Sequence, residues 1–171
     1  MKHFTLLILT FFSINLSVQA QSSVYEAEAG MIYNFTKFFD WPQTEKSGDF
    51  IIGVLGSKDL FKELTAITKD KKNVTQNIVV KSFSSYEKIN DCHVIFISSF
   101  NSTHIQDIHK KTGVHCLIIS DSMTAIEKGA VIQFFIENER LKYNFSIENA
   151  LKHGLKFHSK VSEMASTTYT Y

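Results

Sequence analysis

Three runs in this chain are apolar at nearly every position: Phe50-Ile51-Ile52-Gly53-Val54-Leu55, His93-Val94-Ile95-Phe96-Ile97 and Cys116-Leu117-Ile118-Ile119. A strand with one wet face alternates apolar and polar residues. A strand that is apolar throughout must be covered on both faces. Between these runs lie segments of helical period. Lys58 to Thr68 sets Leu60, Phe61, Leu64 and Ile67 on one face, and Thr103 to Lys111 is a weaker helix. Covered strands joined through helices imply a parallel sheet. Ile78 to Phe83 is a further strand, Tyr86 to Ile89 a short turn or helix, and Asp121 to Glu127 a helical turn ended by Lys128-Gly129. Toward the end the pattern changes. Ala130 to Ile136 and Leu141 to Phe145 form a hairpin around Glu137-Asn138-Glu139-Arg140. Ser146 is a good N-cap for the helix through Lys152, with Gly154 as its C-cap. Phe157 to Ala165 reads as a final short helix, followed by a polar, frayed tail. The expected fold is α/β: a single-domain layered sandwich with a mostly parallel central sheet, helices on both faces, and a C-terminal antiparallel hairpin.

The first residues read as an export signal. Lys2 and His3 precede the apolar run Phe4 to Phe12, and Val18-Gln19-Ala20 offers the small residues of a cleavage site. Cleavage after Ala20 leaves one domain from Gln21 to Tyr171 in an exported, periplasmic protein. No later stretch reaches the roughly 18 apolar residues of a membrane span. Losing Lys2 takes the 18 basic residues to 17, equal to the 17 acidic ones. A neutral chain without a basic stripe argues against nucleic-acid or anionic-membrane binding. Cys92 and Cys116 are the only cysteines. In an oxidising compartment such a pair reads as one disulfide, closing about 25 residues and contributing ~3 kcal/mol on the chain-entropy argument. The competing reading is two buried thiols packed as small hydrophobes.

Catalytic and cofactor patterns are weak. Gly53-Val54-Leu55-Gly56 follows a strand but completes neither a dinucleotide fingerprint nor a phosphate loop. Cys92-His93 and His115-Cys116 invite a metal reading. Strand alternation, however, turns neighbouring side chains to opposite faces, so at most two of the four would meet. No serine lies in a nucleophile elbow. Ser120-Asp121-Ser122 follows a strand where α/β sheets place ligand loops, although helix capping explains it as well. Asn34, Asn73, Asn101 and Asn144 start glycosylation sequons, two of them inside expected regular elements. No catalytic residue, cofactor or metal is expected.

The remaining feature is Glu28-Ala29-Gly30-Met31-Ile32-Tyr33-Asn34-Phe35-Thr36-Lys37-Phe38-Phe39-Asp40-Trp41-Pro42, ending at the only proline. Val24 to Asp40 reads as a helix with Ala27, Met31, Phe35 and Phe38 in one stripe, widened by Ile32 and Phe39. Pro42 disfavours helical geometry at Trp41 and stops it. Ile32, Tyr33, Phe35, Phe38, Phe39 and Trp41 cover more circumference than one packing face needs. Either the helix is sandwiched, or part of it is an exposed patch for a partner.

This segment resembles the opening signature of the YfiR-like family of periplasmic proteins, roughly "aaFIYNFakFveWP". The similarity continues at Ile52-Gly53-Val54-Leu55-Gly56, Cys92-His93-Val94-Ile95-Phe96-Ile97-Ser98 and Ile118-Ile119-Ser120-Asp121, then through Gly129 to Phe134, Lys142 to Ile147, Gly154-Leu155 and Ser159-Lys160-Val161. Ala130 replaces a glycine of the family pattern, and Ser146 stands where asparagine is frequent. The resemblance implies an α/β sandwich and a non-catalytic regulator. Such a protein would bind and inhibit the periplasmic sensor domain of an inner-membrane signalling protein, foremost a diguanylate cyclase controlling cyclic di-GMP and biofilm formation. A membrane sensor kinase is the alternative partner, and a second copy of the chain a further one. Ile32, Tyr33, Phe35, Phe38, Phe39 and Trp41 are the residues expected at that contact. The competing function is a small-ligand-binding protein using the loops near Gly56, Ser98 and Ser120.

Overall fold

A computed structural model describes residues 24–42 and 47–170. The expected export signal lies outside the described residues. Helix α1 covers 24–38. It is followed by β1 (Phe39–Asp40), β2 (Phe50–Leu55), α2 (Lys58–Thr68), β3 (Lys72–Asn73), β4 (Gln76–Phe83), β5 (Val94–Ile97), α3 (Ile105–Thr112) and β6 (Leu117–Ser120). The chain closes with β7 (Ile132–Glu137), β8 (Arg140–Ser146), α4 (Ile147–Lys152), β9 (Lys156–Phe157), α5 (Lys160–Glu163) and β10 (Thr167–Tyr169). Short 3-10 turns cover Tyr86–Lys88 and Ser99–His104.

The strands form an eight-stranded sheet in the order β10-β8-β7-β6-β5-β2-β4-β3. Strands β4, β2, β5, β6 and β7 are mutually parallel. β8 returns antiparallel to β7, with Glu137 opposite Arg140. The two turn residues, Asn138 and Glu139, have φ of +51° and +60°, the left-handed geometry that matches a two-residue hairpin to strand twist. The apolar runs are covered as their composition requires. Every residue of β5 and β6 is buried. On one face Phe50, Ile52, Val94, Phe96 and Leu117 pack with Ile32 and Phe35 of α1 and Leu60 and Leu64 of α2. On the other, Ile95, Ile97 and Ile118 pack with Ile105 and Ile108 of α3.

Several local expectations change. The final helix, expected over Phe157 to Ala165, is confined to Lys160–Glu163, with Phe157 in β9. Helix α1 ends at residue 38, because Phe39–Asp40 leaves the helix and pairs antiparallel with Lys156–Phe157. The buried stripe is also rotated from the expected one. Ala29, Ile32 and Phe35 are buried, Met31 and Phe38 are half-buried, and Ala27 is exposed. The tail, expected to fray, pairs Thr167–Tyr169 in parallel with Asn144–Ser146 of β8. Its threonines and tyrosine suit a strand, and the otherwise open edge of β8 supplies the partner groups. The caps form as anticipated: Ser146 Oγ accepts from Asn149 N at 3.1 Å, and Gly154 takes φ +66° just beyond α4.

Candidate functional site

The end of the aromatic helix is the keystone of one core layer. Trp41 is 4 % exposed. Its ring meets Phe50 edge-on at 4.8 Å, and its indole N–H donates to His115 O at 2.7 Å. His93 stacks on Phe50 at 4.5 Å and accepts from Ile51 N through Nδ1 at 3.0 Å. The tryptophan-proline segment and the two cysteine-histidine strand starts, separate in sequence, are therefore packing partners. Phe35 and Phe39 meet each other, Tyr143 and Phe145 edge-to-face, and Phe35 stacks on Phe134.

Of the six expected contact residues, Ile32, Phe35, Phe39 and Trp41 are buried, so they cannot present their side chains to a partner while the fold holds. This corrects their assignment: the helix buries one face, with Glu26, Ala27, Asn34 and Lys37 exposed on the other, and Phe39 and Trp41 lie beyond its end. Tyr33 and Phe38 are half-buried, and the protein's own lysines partly cover them. Lys37 Nζ and Lys71 Nζ lie 4.2 and 4.4 Å from the Tyr33 ring centre, and Lys160 Nζ lies 5.9 Å from that of Phe38.

Cys92 and Cys116 are free thiols, both buried in the α3-side cluster. Their expected bond is not formed. The β5–β6 register sets Val94 opposite Leu117, which carries His93, not Cys92, to the position opposite Cys116. Burial pushes the Cys92 thiol up to about 12. Burial also raises Cys116, with a smaller contribution from Cys92. Neither supplies a thiolate at neutral pH. Among the described residues, no group of three or more His, Cys, Asp or Glu side chains is placed to hold a metal ion. Nor is any helix among them long and apolar enough to cross a membrane.

The sheet order reverses between β2 and β5. The chain leaves β2 through α2 toward β4, and leaves β5 through α3 toward β6 on the opposite face. Open α/β sheets bind ligands at such a switch, beyond the carboxyl ends of the strands. Here the loops after β2 and β5 approach closely. Gly56 has φ +87°, and a Cβ on it would overlap Ser98 Oγ and Asn101 Nδ2. Asn101 Nδ2 in turn donates to Ser98 Oγ at 2.9 Å. Gly56 and Ser98, two of the three positions of the small-ligand reading, thus meet, and Gly56 and Asn101 also line a cavity there. Ser120 is fully buried, and its Oγ accepts from Ser122 N at 3.2 Å, which is a turn-forming role.

Two cavities of opposite charge lie at this end of the sheet. One, of about 620 Å³, lies by the N-terminus of α2 and carries Lys58 and Lys88. The other, of about 420 Å³, lies between α1 and the β7–β8 hairpin and carries Glu28 and Asp121. Glu28 is 5 % exposed, and its Oε2 has no hydrogen-bond partner. Burial, reinforced by the Asp121 charge, raises its pKa to about 8. Asp121 Oδ1 accepts from Ser99 N at 2.5 Å, tying together the loops after β5 and β6. Burial raises Asp121 while that N–H lowers it. On the same rim Phe100 is 95 % and Met123 79 % exposed. Sequence reasoning missed Glu28, although a signal was present: it stands four residues before Ile32 and seven before Phe35, a lone acid in the buried stripe.

The sequence model of the YfiR/HmsC-like family matches residues 25–166, and the chain belongs to that family. The match runs from the first turns of α1 to the residue before β10, so it takes in the aromatic helix, both cavities and the strand-end rim. A search of curated proteins returns no match.

Proposed function

We propose that this member of the YfiR/HmsC-like family is a non-catalytic periplasmic regulator of cyclic di-GMP signalling. It binds the periplasmic sensor domain of an inner-membrane diguanylate cyclase and favours that enzyme's inactive state. Membership of the family supports the regulatory class. The observation that carries the docking surface is Phe100. A phenylalanine held 95 % exposed in a short 3-10 turn leaves about 2 kcal/mol of burial free energy unrealised. Met123 stands on the neighbouring loop, joined to that of Phe100 through the Asp121–Ser99 hydrogen bond. Exposed aromatic and methionine side chains are the usual anchors of protein interfaces. The contact therefore moves from the buried face of α1 to the carboxyl-end rim of the sheet, with Tyr33 and Phe38 left as lesser contributors.

A pull-down from detergent-solubilised membranes, with the protein as bait, tests the function. Recovery of a cyclase by the wild type, and its loss in Phe100→Asp with an unchanged melting temperature, is the expected result. Equal recovery by Phe100→Asp would reject the rim. Recovery of a sensor kinase instead would transfer the same surface to that partner.

A further inference from the structure

We infer that the cavity between α1 and the β7–β8 hairpin binds a small organic cation, an ammonium group carried on an apolar, aromatic body. Buried polar atoms in folded proteins almost always have a hydrogen-bond partner. Glu28 Oε2 has none, although its residue is 95 % buried, and Glu28 lines this cavity. The volume of about 420 Å³ falls in the range of small-molecule sites, ~300–1,000 Å³. The second carboxylate, Asp121, is fixed by the Ser99 N–H. It faces the same space without a cation of the protein beside it among the lining residues described.

The chemistry of the walls selects the ligand. Two carboxyl groups reject an anion. A bare divalent ion needs six or more oxygen ligands, and beyond Glu28 and Asp121 the described walls are largely Phe134, Phe135, Ile136 and Leu141. An ammonium group supplies three donors to the two carboxyls. Its hydrocarbon body would lie against the apolar walls, and aromatic rings favour a nearby cation. Tyr25 and Asp121 are the other titratable groups lining the cavity among the described residues. With Glu28 raised to about 8, the site is half neutralised at physiological pH. An incoming ammonium would ionise Glu28, and binding would release its proton.

Isothermal titration calorimetry of the purified protein with 2-phenylethylammonium tests this, with 2-phenylethanol and phenylacetate as comparisons. The ammonium should saturate one site per chain and bind at least about tenfold more tightly than the alcohol, with phenylacetate not binding. Buffers of different ionisation heat should report release of about one proton at pH 7, and affinity should fall about tenfold per pH unit below 8. Glu28→Gln should lose both affinity and proton release while keeping a cooperative melt. Asp121→Asn should weaken binding but retain proton release. Absence of binding, equal binding of the alcohol, or undiminished binding to folded Glu28→Gln would overturn the assignment. The assay contains no protein partner, so its failure would leave the docking reading standing, and the reverse holds too.

Discussion

Replacing Glu28 by glutamine should stabilise the protein at neutral pH, by an amount that depends on pH in a defined way. The folded chain holds this carboxyl at a pKa of about 8, against 4.5 for the free group. Folding therefore takes up a proton between pH 4.5 and 8, where the unfolded carboxyl is ionised and the folded one is not. The contribution of the neutral group is complete below pH 4.5. It is lost as pH climbs toward 8, at about 1.4 kcal/mol per pH unit. At pH 7 the loss amounts to roughly 3 kcal/mol. Glutamine keeps the shape and the neutrality but takes up no proton. The fit of its amide adds an offset that does not vary with pH. Urea denaturation of both proteins at intervals from pH 4.5 to 8.5 isolates the slope from the offset. The variant should gain on the wild type by roughly 3 kcal/mol between pH 4.5 and 7, and the gap should level off above pH 8. A difference that stays constant across that range would refute the reasoning, because it would mean that Glu28 is ionised in the folded protein.

His153 should act in the opposite sense. Burial, only partly countered by the hydrogen bond to Cys116 O at 2.9 Å, lowers its pKa from 6.5 to about 4. Taken alone, this shift lowers stability by roughly 3 kcal/mol as pH drops from 6.5 to 4, and His153→Gln should expose the opposing Glu28 slope, so that the variant gains stability in urea denaturation as pH falls from 6.5 to 4.5. The two groups oppose each other between pH 4.5 and 6.5, so the wild-type profile should be nearly level there. Ellman's reagent should find both thiols unreactive in the native protein and two free thiols after unfolding without reductant; zero would restore the disulfide. Asn149→Ala should cost about 2–3 kcal/mol in urea titrations, because Asn149 Nδ2 donates to Ile126 O and Ala130 O at 2.9 and 2.8 Å inside the fold. An unchanged midpoint would mean that water replaces the amide.

The parts of the fold legible in the sequence are those set by local pattern. The run Phe50–Leu55 needs two covered faces wherever it lies, and it is β2 with the anticipated limits. The hairpin was legible because two apolar segments flank a polar turn. What escaped was fixed by distant partners. A two-residue strand such as Phe39–Asp40 has no period of its own and exists because Lys156–Phe157 lies beside it. Strand β10 exists because β8 would otherwise end the sheet. The same limit governs the site. Too many aromatics for one helix face indicated either a sandwich or a docking patch, and the structure resolves the surplus differently: the helix ends at residue 38, and Phe39 and Trp41 enter the core from beyond it. Phe100 carried no periodic signal, since its exposure follows from the 3-10 turn that lifts it off the sheet end.

The segment that most clearly marks the family is occupied with folding. Trp41, Phe50, His93 and the His115 carbonyl form one contact set linking the end of α1 to the amino-terminal ends of β2, β5 and β6. Contacts of that kind fix where the sheet begins, so they determine what is presented at its other end. There the chain places an exposed phenylalanine and methionine beside a cavity holding an unpartnered acid. Met123 and Asp121 belong both to that cavity and to the loop bound to the Phe100 turn. A cation drawing Asp121 toward Glu28 would compete with the Ser99 N–H for the same carboxylate. On the proposed readings, that one hydrogen bond would couple the docking rim to the cavity. Phe100→Asp should spare ammonium binding, whereas Asp121→Asn should alter both partner recovery and cation affinity; independence of the two in Asp121→Asn would separate the sites.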